Sequence, residues 1–449
     1  MTVQGYPTAG ARSTRPPASP APARSATGPS GPHRRVRPDD ALLSAALVRP
    51  VAIAVLVLLA MRIELAQGLT VGYLIVLVLA PLWLPVLRQF RGARALLGTG
   101  AVALVSGVWL TVYSASAHTG STGQAVAVSV GLVGILGGIG FVLWCRTLLP
   151  DAQVALWFGL GLLFGVTPTS ELYQSNPWRF GYSVALTVMV LAVARLTGRR
   201  WLELLAVAGF TAIAAVTDAR SSFAILLFTG LLVLWQMRPG RRSRSGSAVR
   251  VVVALGVLAL VVYNLGQALI LDGALGAETQ LRSSVQLQTS GSLILGGRPE
   301  LAATAGLMLH QPMGFGAGTA LNSHDVLAAK SGMAAIGYDP NNNYVDVYMF
   351  GGHIELHSVL GDMWAWFGLP GLVLAGMLAL IVVAGLARSV AGGTAAAVVV
   401  YLGAKTLWAF LFGPLYSSAT LIIIAVGLVM LRREPRQELA RNGAGIVGQ

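Results

Sequence analysis

His353 and His357 stand four residues apart in HIELHSVLGDMWAWFGLPG (353–371), with Glu355 between them and Asp362 five residues past the second. An imidazole exchanges a proton near neutral pH, so His357 suits the removal of a proton from an attacking hydroxyl. Glu355 and Asp362 are close enough in sequence to orient it. A structural histidine, satisfied by a carbonyl or a carboxylate, is the competing reading. On a helix the two histidines would align for a metal, but no cysteine and no third ligand accompanies them, so no metal and no cofactor is expected.

Three arginines and a lysine supply the fixed positive charge. Arg220 follows Asp218 in TDARSSF, and either snorkels to lipid headgroups or clamps a phosphate. Arg298 in GGRPEL lies on a glycine-rich turn before PELAATAGLMLHQP, which reads as a short surface helix ending before Pro312. Such an arginine can reach a diphosphate together with free backbone N–H groups, or it is a solvated loop residue. Arg282 is a less specific candidate. Lys405, inside the apolar stretch YLGAKTLWAF, is costly in lipid and needs a structural partner or a lipid phosphate.

The rest of the chain must position these groups. Hydrophobic residues make up 55% of the 449 residues and charged ones only 11%, and the apolar residues gather in runs near the roughly 20 needed to cross a bilayer. The expected fold is an all-α polytopic membrane protein. Its helices fall near 43–61, 69–87, 95–113, 125–145, 152–168, 181–197, 201–217, 221–237, 250–271, 367–387, 394–411 and 415–431. That divides the chain into a Pro/Ala-rich basic tail (1–41), nine helices (42–271), a large loop (272–366), three helices (367–431) and a second tail (432–449). The first tail has no apolar core, so it is read as a disordered cytoplasmic segment and not as a signal peptide. Cys145 cannot form an intrachain disulfide and reads as a packing residue.

Net charge is +14, and arginine outnumbers lysine 29 to 2. The charges lie in short loops between apolar runs, which speaks for membrane topology and against nucleic-acid binding. With both termini in the cytoplasm, 24 of the 31 basic residues fall inside, while 11 of the 17 carboxylates and five of the six histidines fall outside. The large loop is therefore expected to face outward and to carry function. Trp364, Trp366 and Phe367 suit an interfacial belt before a sugar-stacking wall.

HSVLGDMWAWFGLPG, with Gly368 and Gly371 eleven and fourteen residues after His357, resembles the signature of the O-antigen ligase and O-antigen polymerase family. TDARSSFAILLFTG is similar to that family's arginine at a helix start, and GGRPELAATAGLMLHQPMGFGAG is similar to its Gly-Arg, short helix, Pro, Gly-x-Gly stretch. The resemblance covers roughly residues 200–387, with the motifs in the family's order. Ser358 replaces the common Asn, and Ala302 stands where an aromatic residue is frequent; both departures bear on the acceptor more than on the chemistry.

The resemblance implies a GT-C-like helical glycosyltransferase in the bacterial inner membrane, whose donor is an undecaprenyl-diphosphate-linked saccharide and whose acceptor is a second saccharide. It implies that Arg220 and Arg298 bind the departing diphosphate and that His357 is the base, without metal. Polymerisation of a surface polysaccharide is favoured over ligation to lipid A, because the excess of arginine over lysine, with abundant alanine and glycine, is the coding bias of a GC-rich bacterium and, together with the basic tail, points to a source that lacks lipid A. Transport of a lipid or polysaccharide, and a membrane peptidoglycan polymerase with a different acidic site, are the other readings.

Overall fold

The computed structural model describes residues 38–217, 219–237, 248–273 and 276–433. Residues from Leu47 onward form one compact unit; those up to Ala46 form another, of which only the backbone of the start of the first helix is described. Helix α1 (Pro38–Met61) leads into a small hairpin, β1 (Glu64–Ala66) and β2 (Leu69–Thr70), then α2 (Val71–Val78), α3 (Ala80–Trp83) and a 3-10 turn, Pro85–Gln89. Next come α4 (Ala93–Ser114), α5 (Thr122–Leu148), α6 (Asp151–Phe164) and α7 (Glu171–Ser175). A π-turn, Trp178–Tyr182, opens α8 (Ser183–Leu196), followed by α9 (Arg200–Val216), α10 (Arg220–Gln236) and α11 (Ala248–Leu271). The expected loop carries α12 (Ala277–Ser290), α13 (Leu293–Gly297), α14 (Glu300–His310), α15 (Ser323–Ala334) and a π-turn, Tyr344–Met349. The chain closes with α16 (Val359–Ala391), α17 (Ala397–Phe412) and α18 (Leu415–Val429).

Among the described residues the only strands are those of the hairpin, so the fold is all-helical. Each apolar stretch expected to form a long helix is helical over most of its length. Five segments are long and apolar enough to cross a membrane: Ala93–Ser114, Thr122–Leu148, Trp178–Leu196, Val249–Leu271 and Val359–Ala391. A sixth is made by Val71–Val78 with Ala80–Gln89 if that run, bent by 58°, counts as one. Leu47–Met61, Asp151–Phe164, Arg220–Gln236, Ala397–Phe412 and Leu415–Val429 are apolar but shorter. The long helices also leave large apolar side chains exposed, among them Val105, Trp109 and Val112 on α4 and Val253, Val257 and Leu260 on α11. Apolar faces of that extent are characteristic of a membrane-embedded protein.

The core is built where α4 and α5 pack against α16, α17 and α18. Buried charged side chains lock the last two helices. The first N–H groups of a helix have no intrahelical acceptor, and here carboxylates from other helices provide one. Asp362 Oδ2 accepts from Leu415 N at 2.7 Å, and Glu203 Oε2 accepts from Ala397 N at 2.6 Å. The far end of α18 is held by Arg146, whose Nη1 donates to the carbonyls of Gly427 and Met430 at 2.7 and 2.8 Å. Each charge sits at the helix end whose dipole it complements.

The loop boundary needs a correction. Helical structure was expected to resume at 367, but α16 begins at Val359, because Ser358 caps it by accepting from Gly361 N at 3.2 Å. The helix then breaks at Gly368, whose φ of 64° and ψ of −150° suit glycine almost alone. A Cβ there would also lie 2.5 Å from Met313 O. The break frees carbonyls that a continuous helix would use. Ala365 O accepts from Phe315 N and Gly316 N at 2.8 and 3.0 Å, and Phe367 O accepts from Ser106 Oγ at 2.9 Å. Thus GFGAG and GLPG, more than 50 residues apart in sequence, interlock through one helix break.

The tryptophans need a second correction. Trp364 is 1% exposed and Phe367 fully buried, and Trp364 Nε1 donates to Pro312 O at 3.0 Å. Trp366 is also buried. These rings belong to the core beneath the 300–358 segment, not to an interfacial belt or an open stacking wall.

Candidate functional site

Among the described residues His357 is one of three non-glycine residues with positive φ, at 49°. A left-handed backbone at such a residue costs about 1–3 kcal/mol and persists only where neighbours over-determine it. They do so here. Leu356 on one side is fully buried, and its N–H donates to Asp362 Oδ1 at 2.9 Å. Ser358 on the other side caps α16 and donates from Oγ to Phe410 O at 2.9 Å. Asp362 therefore positions the loop through its backbone and does not orient the imidazole directly.

The ring is 18% exposed, with Nδ1 3.5 Å from Glu355 Oε1. That nitrogen is buried and makes no hydrogen bond. Two tyrosines of the π-turn flank the ring, Tyr344 at 6.0 Å and Tyr348 at 5.3 Å between centroids, and stack on each other at 5.5 Å. Tyr344 donates a short hydrogen bond to Glu300 Oε1, and Glu355 lies within electrostatic range of Tyr348. Glu300 is 5% exposed, and its other oxygen is buried without a partner.

Arg298 precedes Pro299 and Glu300 at the start of α14, with its guanidinium carbon 5.9 Å from the centre of the Phe412 ring. It completes the charge pattern around the histidine. Burial lowers the His357 pKa below its ordinary value; Glu300 and Glu355 oppose that shift, and Arg298 adds to it. The imidazole is thus neutral at pH 7 and can accept a proton. Burial, then Glu300, raises the Tyr344 phenol; burial, then Glu355, pushes Tyr348 up to about 12. Both tyrosines stay protonated, and Tyr344 donates to Glu300.

Among the residues singled out in the sequence, Arg298, Glu355 and His357 come together in this cluster. Arg220 is the first residue of α10, and its Nη1 donates to Ser283 Oγ of α12 at 2.9 Å, tying the bundle to the 277–290 helix. Lys405 lies mid-helix on α17, seven residues before Phe412 and within electrostatic range of Arg179. Asp218, the side chain of Arg282 and the tails 1–37 and 434–449 lie outside the described residues. HIELH is not helical, so the four-residue spacing of His353 and His357 does not bring them onto one face. Among the described residues no group of three or more His, Cys, Asp or Glu could hold a metal ion.

Sequence reasoning missed Glu300, Tyr344 and Tyr348. Glu300 had a signal: it is an acid next to the Gly-Arg turn, at the head of an apolar helix. The tyrosines lie in the turn-rich NNNYVDVY and had none, since what matters is their approach to a loop a dozen residues on. The chain matches no protein-family model, no curated protein and no solved structure.

Proposed function

We propose that this protein is a glycosyltransferase that joins saccharides carried on a polyprenyl diphosphate, extending a polysaccharide at the outer face of a bacterial inner membrane. In this reading the twelve apolar helices all span, both termini are cytoplasmic, and the 272–358 segment forms an outward cap of the GT-C-like kind. The observation that carries it is His357 itself, held in a left-handed loop with Glu355 at its Nδ1, Tyr344 and Tyr348 against its ring, and the Glu300–Arg298 turn beside them, directly before a helix that enters the apolar bundle.

Glu355 faces Nδ1, which favours the tautomer with the proton there and leaves the Nε2 lone pair as base. Nε2 takes the proton of the acceptor hydroxyl as its oxygen bonds to the anomeric carbon of the donor. The bond from that carbon to the diphosphate breaks, and the electron pair leaves with the phosphate oxygen. Arg298 neutralises charge that grows towards the transition state, where fixed cations stabilise most, and Arg220, bonded to Ser283 of α12, is the second cation in this reading.

The test is mass analysis of products from the purified protein in lipid with an undecaprenyl-diphosphate-linked repeat. A ladder of lipid-linked oligomers, lost in His357→Ala at unchanged folding, supports a polymerase. A single acceptor-dependent adduct reassigns the site to ligation. Transport is the second reading, favoured by the break in α16 and the half-buried Lys405 in the middle of α17. It wins if no glycosidic bond forms and vesicles take up the lipid saturably.

A further inference from the structure

A second polar feature shares no residue with the His357 group. Between the hairpin, α5 and α18 lies a cleft of about 140 Å³, lined by Arg62, Tyr73, Leu132, Ile135, Trp366 and Tyr416. Most of its wall is apolar. Two donors on it are nonetheless buried without a hydrogen-bond partner, Arg62 Nε and Trp366 Nε1. Trp366 is only 9% exposed. Arg62 is held in place: its backbone is left-handed at φ 55°, Nη1 donates to Tyr416 O at 2.7 Å, and the guanidinium carbon sits 4.1 Å over the Tyr416 ring.

An orphaned buried donor costs about 1–3 kcal/mol, so two on one cleft call for an acceptor that the chain does not provide. A cation and an indole N–H lining one cleft select an anionic oxygen, and a planar guanidinium matches phosphate. The remaining apolar wall selects a hydrocarbon chain. An engineered apolar cavity of about 150 Å³ takes up benzene, so this cleft seats a chain segment of about six carbons, not a whole lipid.

We propose that this cleft binds a phosphate-headed lipid, with a phosphate oxygen on Arg62 and Trp366 and the adjoining chain against Tyr73, Leu132 and Ile135. The site does not depend on the glycosyltransferase reading, because none of its residues belongs to the His357 group.

The experiment is native mass spectrometry of the full-length protein with phosphatidylglycerol, undecaprenyl phosphate or diacylglycerol added in turn. Three variants are compared with the parent. Arg62→Ala removes the cation, and Trp366→Phe removes the N–H while keeping a ring. Gly131→Leu fills the cleft, since a Cβ at Gly131 would meet nothing within 4 Å. Expected is retention of a phosphate-headed lipid and not of diacylglycerol, weakened about tenfold in Arg62→Ala or Trp366→Phe and abolished in Gly131→Leu. Preference for undecaprenyl phosphate assigns the cleft to a substrate-like lipid, and equal binding of phosphatidylglycerol assigns it to the bilayer; both support the site. Equal retention of diacylglycerol overturns it, as does parent-like retention in variants that melt like the parent. If Arg62→Ala does not fold, the other two variants decide.

Discussion

Asp362 offers the sharpest test of how the His357 loop is held. Its carboxylate is fully buried and divides its two oxygens between Leu356 N at 2.9 Å and Leu415 N at 2.7 Å. One bond fixes the residue before the histidine and the other the start of α18. A buried N–H left without an acceptor costs about 1–3 kcal/mol, so Asp362→Ala, which leaves both N–H groups unsatisfied, is expected to cost about 2–6 kcal/mol. Asp362→Asn keeps one acceptor oxygen but turns an NH₂ towards the other N–H, and is expected to cost about half as much. The assay is thermal unfolding of the detergent-purified protein, read by size-exclusion fluorescence, with product formation measured on the folded fraction. Stability should fall in the order Asp, Asn, Ala, with activity falling in Asn before the fold is lost. If Asn melts like the parent, or Ala melts no lower than Asn, the two-ended acceptor role is wrong.

Gly368→Ala places a Cβ 2.5 Å from Met313 O at a backbone angle that favours glycine, so it should lower the melting temperature more than Gly98→Ala, where nothing lies within 4 Å. Because burial lowers the His357 pKa, kcat/KM should be flat at neutral pH and fall only as pH drops below 6.5. Glu355→Gln removes a carboxylate that favours the imidazolium, so this acid limb should move to still lower pH; an upward move contradicts the assignment. The same shift means the unfolded chain binds the proton more readily, so stability should decline as pH falls through the ordinary histidine range. Tyr344→Phe deprives Glu300 of its side-chain donor and leaves a buried carboxylate, at an expected cost of about 1–3 kcal/mol. The double variant with Glu300→Gln should melt higher than additivity predicts.

The helices and the groups able to do chemistry are written in local sequence. Apolar runs broken by Gly, Pro and Arg are local signals, so the long helices were legible from Ala93–Ser114 to Leu415–Val429, as was the short helix Glu300–His310 after GGRP. His357 and Arg298 stood out by residue type and neighbourhood. Which groups share a site depends on packing across the chain. Glu300 meets Tyr344 across 44 residues, Asp362 meets Leu415 across 53, and Phe315 meets the carbonyl that the Gly368 break exposes at Ala365. Nothing in local spacing encodes these meetings. The same holds for Trp364 and Trp366, which composition would place at a lipid interface and which packing places in the core. A helix forms from contacts three and four residues apart, whereas a buried polar group must find its partner wherever the packed chain brings one.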